Sequence, residues 1–222
     1  MLKVWDSMGH RATMDIDLLA KTSNQIENLQ NILTEVSEVD YSDDAVSFET
    51  SKLILRRTQT AGDYNGVSCS FSAKLFTTKM PVLIDIGFND TIIPCPEKFS
   101  YPTLLEMPSP ILLGYTLETV FAEKLESIVK LAAVNTRMKD FYDIWTIVKN
   151  HHMDLVGLKK AVSKVFSNRG TPLEYPVAFN ADFYDLPESQ KRWEKFLEMI
   201  GKEPISFGEV IAELSIFVNN IF

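Results

Sequence analysis

The sequence predicts an α+β fold: a mixed β-sheet in the N-terminal half, resembling no all-helical or all-strand pattern, followed by an all-helical C-terminal half. Three observations carry this prediction. Strand-like alternation is confined to residues before position 88. Prolines at 94, 96, 102, 108 and 110 then break any long element. Beyond them, apolar residues recur at helical spacing to the end of the chain. The predicted division is an α/β core over residues 1–110 and a helical domain over residues 111–222.

The elements follow in order. RATMDIDLLA, at 11–20, reads as a strand with Met14, Ile16 and Leu18 on one face and Asp15 and Asp17 on the other. Ile26, Leu29, Ile32, Leu33 and Val36 then mark an amphipathic helix, with Thr22 and Ser23 available as caps. Residues 46–55 turn strand-like. Gly62, Asp63 and Asn65-Gly66 supply hairpin chemistry before a regular alternation of Val67, Cys69, Phe71, Ala73 and Leu75 with polar residues. VLIDIGF, at 82–88, is a further strand with Asp85 opposite Ile84 and Ile86. Helical spacing covers 117–133, 141–149, 155–167, 188–200 and 207–221. Asp154 and Ser206 are N-cap residues, and Ser206 with Glu209 has the capping-box pattern.

Size and charge exclude several classes. A chain of 222 residues, 45% hydrophobic, can bury a proper core. Its formal charge of −8 argues against broad affinity for nucleic acid, which needs many phosphate-neutralising cations. No apolar run is long enough for a membrane span, and MLKVWDSMGH lacks the apolar centre of a signal peptide, so the cytoplasm is the expected location. Cys69 and Cys95 have no zinc or disulfide spacing, and His10, His151 and His152 have no metal spacing. Walker, GxGxxG and GxSxG motifs are absent, which removes the usual NTPase, dinucleotide and serine-hydrolase readings.

Three features carry candidate chemistry. Asp15 and Asp17, at i and i+2, can present parallel carboxylates to a divalent cation; the plainer alternative is the solvated face of an edge strand. Asp85 weighs toward metal, since a lone carboxylate in the most apolar strand would join them if the strands are neighbours. Lys124 falls near the middle of the apolar stripe of Leu117, Val120, Phe121, Leu125, Ile128 and Leu131. It must snorkel to water or reach an anion. In NTRMKDFYDIWTI, Arg137 and Lys139 precede a helix opened by Asp140, with Asp143 on about the same face. Asp140 either caps that helix or positions Lys124 and the attacking group.

RATMDID, VLIDIGF, LETVFAEKLE and RMKDFYDIW, in this order, closely resemble the AbiEii/AbiGii toxin family of nucleotidyltransferase-like proteins from abortive infection and type IV toxin–antitoxin systems. The resemblance extends more weakly through FSNRGTPLEYP and KRWEKFL, so it spans nearly the whole chain. It implies a nucleotidyltransferase-like fold whose sheet bears the metal carboxylates. Asp15 and Asp17 match the metal pair and Asp85 the third carboxylate. Thr13 stands at the small-hydroxyl position, and Arg11 matches a phosphate ligand. Lys124 matches the lysine of the AEK motif and Asp140 the acid of the KD motif, beside Arg137 and Lys139 as nucleotide-binding cations. The implied reaction is transfer of a nucleotidyl group from an NTP, such as GTP or CTP, to a hydroxyl of an acceptor RNA such as tRNA, or of a protein. Mg²⁺ or Mn²⁺ is the implied cofactor and a cognate antitoxin the implied partner. The family's glycine-rich GG[S/T] motif, which grips the triphosphate, is not in this sequence, and MLKVWDSMGH looks like the stretch that follows it. An apparent N-terminal truncation is therefore expected. The competing reading is a catalytically degenerate relative that binds a nucleotide or a protein.

Overall fold

The computed structural model describes residues 2–5, 11, 13–41, 44–59, 65–88, 92–103 and 105–222. His10 and the expected turn at 62–64 lie outside them. The chain divides into two compact units, one of residues 13–90 and one of residues 1–12 with 91–222. The architecture is α+β, as the sequence predicts.

In the first unit, β1 (Ile16–Ala20) leads into α2 (Ile26–Ser37), then β2 (Val46–Gln59), β3 (Asn65–Leu75) and β4 (Thr78–Phe88). The sheet runs β1-β4-β3-β2. β1 is parallel to β4, and the other pairs are antiparallel. Alternation sorts the faces: Val67, Cys69, Phe71, Ile84, Ile86 and Phe88 form a core with Leu29 of α2. β4 starts earlier than the sequence suggests, at Thr78, and carries Pro81. β1 pairs with β4 only from Ile84 onward, so on that side Pro81 has no neighbouring strand to deprive of an N–H.

The second unit opens with α1 (Leu2–Trp5). A two-stranded antiparallel sheet follows in the proline-rich stretch, β5 (Glu97–Ser100) and β6 (Ile111–Gly114). Here the prolines bound two short strands, which the sequence reading does not resolve. Then come α3 (Leu117–Leu131), α4 (Met138–Asn150), α5 (Leu155–Arg169), α6 (Ala181–Tyr184), α7 (Pro187–Met199) and α8 (Phe207–Val218). Asp154 caps α5 by accepting from the Val156 and Gly157 amides, and α5 ends on Gly170 at φ 64°, a left-handed turn that glycine adopts without strain. Ser206 and Glu209 complete the capping box of α8. The core is aromatic and continuous, with Phe121, Phe141, Phe166, Trp193 and Phe207 almost fully buried. Among the described residues no helix is long and apolar enough to cross a membrane.

Candidate functional site

The sheet unit brings Asp17 and Asp85 together. They are register partners across the parallel β1/β4 pair, and neighbouring strands lie about 4.8 Å apart. Both carboxylates therefore leave the sheet on one face, opposite the Ile84 and Ile86 core. The same row continues through Ser68 of β3 to Arg56 of β2. Asp17 and Asp85 are exposed, while Asp15 is half-buried just ahead of β1, so the strand's pleat does not set its direction. The Thr13 hydroxyl donates to the Asp15 carboxylate at 2.9 Å. Hard oxygen donors side by side suit a divalent cation that keeps water or phosphate in its remaining positions. Among the described residues no three His, Cys, Asp or Glu side chains are grouped to hold a metal by themselves, so exogenous oxygens would have to complete the shell.

The helical unit assembles the other candidates around α4. The Asn135 side-chain oxygen accepts from the Arg137 amide at 2.7 Å and turns the chain, so α4 begins at Met138, two residues before Asp140. Asp140 then sits in the first turn, and Asp143 lies one turn on along the same face. Both are fully buried. Lys124 of α3 reaches Asp143 at 2.6 Å and Asp140 at 3.3 Å. Its side chain is 18% exposed, so it neither snorkels freely nor needs an anion from outside its own unit. Arg11 grips Asp143 with both arms of its fork, Nε at 3.0 Å and Nη2 at 2.8 Å. Arg137 pairs with Asp140 at 2.8 Å. The order is Arg11, Asp143, Lys124, Asp140, Arg137, with cations and carboxylates alternating along it.

Electrostatics locks this arrangement. Burial alone would drive Lys124 toward neutrality, but Asp143 and then Asp140 outweigh it and hold the ammonium above its ordinary range. Burial likewise disfavours the Asp143 carboxylate, yet Lys124 and Arg11 hold it below the usual range. All members of the pair are thus charged near neutral pH. Sequence spacing puts Asp143 on the Asp140 face, but its place at the centre of the network, between two cations distant in sequence, is visible only in three dimensions. Lys139 and Arg137 also border an open cavity at the N-terminal end of α4.

A search of curated proteins finds no match. The solved structure of JHP933 from Helicobacter pylori is similar at 14% identity, with a TM-score of 0.45, over 98% of this chain and 85% of that one. The structure of a candidate nucleotidyltransferase from H. pylori is similar at 12% identity, with a TM-score of 0.44, over 97% of this chain and 85% of that one. The sequence matches the AbiEii family, described as nucleotidyl transferase toxins of type IV toxin–antitoxin systems, over residues 1–213, and the chain belongs to that family.

Proposed function

We propose that the protein is a metal-dependent nucleotidyltransferase that moves a nucleotidyl group from an NTP to a hydroxyl of an RNA or a protein, acting as a toxin held in check by a cognate antitoxin in the cytoplasm. The observation that carries this reading is the in-register pair Asp17 and Asp85, on the polar face of the sheet in a chain of this family. In the transfer, the acceptor oxygen bonds to the α-phosphorus, the bond from that phosphorus to the β-phosphate oxygen breaks, pyrophosphate leaves, and the hydroxyl proton passes to water. Asp17 and Asp85 would hold Mg²⁺ or Mn²⁺ together with exogenous oxygens, and the metal when bound would neutralise triphosphate charge and polarise the α-phosphorus. Thr13 orients the Asp15 carboxylate by its hydrogen bond. In the helical unit, Lys124 and Asp143 hold each other charged, and Arg137, paired with Asp140 and partly exposed, would present its guanidinium to an anionic ligand.

The test is incubation with each α-labelled NTP, Mg²⁺ or Mn²⁺, and separate RNA and protein fractions. Wild type should label one fraction, and Asp17→Ala and Asp85→Ala should each lower labelling at least about a hundredfold, on the order of 2.7 kcal/mol of lost transition-state stabilisation. No labelling from any NTP would leave the non-catalytic binding module as the better account.

A further inference from the structure

The cavity at the start of α4 is open, about 500 Å³ in volume, and belongs wholly to the helical unit. Its polar lining is cationic: Arg11, Arg137, Lys139, Arg192 and Lys195, together with Thr136. Among the described residues no carboxylate lines it, although the whole chain carries a net charge of −8. Such a concentration against the overall charge attracts anions locally. The nearby carboxylates of Asp140 and Asp143 are buried behind it and already engaged by Arg11, Lys124 and Arg137. Arg192 and Lys195 stand one turn apart on α7, Arg192 meets only the exposed Glu188 at 3.5 Å, and Lys139 and Lys195 have no carboxylate partner among the described residues. The N-terminal amides of the 13-residue α4 add positive potential at the same end. The remaining wall is apolar, with Phe196 and Met199 alongside the cations. An inorganic anion needs no apolar wall; a phosphate carrying a flat organic body uses both.

We propose that this cavity binds a nucleoside phosphate, its phosphate held by Arg137, Lys139, Arg192 and Lys195 and its nucleoside laid against Phe196 and Met199. The ligand is either a free nucleotide or the phosphorylated end of an RNA strand. The proposal deepens the transferase reading, on which it rests for the kind of anion, and assigns α7 a part in it.

The test measures binding rather than transfer, in EDTA, so that the carboxylate site and its metal play no part. The probes are AMP, titrated by calorimetry, and a 5′-phosphorylated single-stranded RNA 12-mer labelled at its 3′ end, followed by fluorescence anisotropy. Wild type should bind at least one probe, more weakly as salt rises. The double variant R192E/K195E should lose at least about tenfold in affinity, and K195R should retain binding because it keeps the charge. K159E, a reversal of an exposed lysine on α5, should change affinity less than about twofold. Competition by AMP identifies the free nucleotide as the ligand; binding of the strand without competition identifies RNA. Binding of neither probe, equal binding by R192E/K195E and wild type, or an equal loss in K159E would overturn the site. Binding in EDTA by a protein that transfers no label would overturn the transferase reading alone. Circular dichroism and thermal melts of each variant separate lost binding from lost folding, and both α7 positions are exposed, so charge reversal there leaves the core intact.

Discussion

Asp143 is the residue on which the buried network converges, since its two oxygens serve Arg11 and Lys124 together. Removing its charge takes from two cations, 15% and 18% exposed, the carboxylate that both of them grip. Asp143→Asn should therefore destabilise the protein by about 3 kcal/mol, the low end for a broken buried pair, because both cations keep some contact with water. Lys124→Met should cost less, about 1–2 kcal/mol, since Arg11 still pairs with Asp143 and Arg137 with Asp140. Urea midpoints of the two variants check the order; a larger loss for the lysine variant would contradict the central place given to Asp143. The network also fixes a pH window. The folded carboxyl of Asp143 is depressed, so its contribution is fully present above the unfolded value of about 3.9 and drains away as pH falls through the folded one. The folded ammonium of Lys124 is raised, so its contribution is complete below about 10.4 and is lost as pH climbs through the folded value. Thermal melting across pH should show the wild type losing stability in acid, with a shallower acid slope in Asp143→Asn.

At the scale of elements, the junction of α3 with the end of α5 rests on a second buried carboxylate, Glu126. It accepts from Arg169 at 3.1 Å and from the Thr171 hydroxyl, while Arg169 also reaches Glu123 at 3.1 Å. Arg169→Ala strands Glu126 with only a hydroxyl donor, whereas Glu126→Gln keeps a neutral acceptor in place. The arginine variant should thus lose more stability, about 3 kcal/mol against about 1, in paired urea denaturation curves. Such junctions were beyond sequence reading even where the helices themselves were not. α3, α5, α7 and α8 were legible because strong apolar periodicity coincides with local caps such as Asp154 and Ser206, and both signals act within a few residues. β5 and β6 were not, because the prolines that bound them mask the alternation of four-residue strands. α4 begins earlier than its apolar pattern because the Asn135 side chain, rather than Asp140, turns the chain. The site divides in the same way. Asp17 and Asp85 announce themselves as charges in apolar strands, but their adjacency depends on β1 pairing with β4 across a long stretch of chain. The Lys124 stripe position leaves the lysine either to snorkel to water or to reach an anion, and only the packing of α3 on α4 shows that it reaches Asp143.

At the scale of the whole molecule, the protein has two hydrophobic cores rather than one. The sheet unit gathers a short list around Val67, Cys69, Phe71, Ile84 and Ile86 under α2, while the helical unit holds a much larger aromatic core from Val120 to Ile221. Most of the chain's net negative charge falls in residues 13–90, where basic residues are few, so the smaller core also carries more self-repulsion. Marginal stability is therefore expected first in the sheet unit. Phe71 tests this, because it is 8% exposed, belongs only to the smaller core, and meets Phe48 edge to face at 5.9 Å. Phe71→Ala removes that contact and leaves a cavity, at a cost of about 3–5 kcal/mol. Hydrogen exchange followed by mass spectrometry should show protection falling across β2, β3 and β4, while peptides from α4, α5 and α8 keep theirs. An equal loss in α4 and α8 would mean that the two cores unfold as one cooperative body, and that destabilising the carboxylate-bearing sheet also dissolves the Arg11–Asp143–Lys124 network.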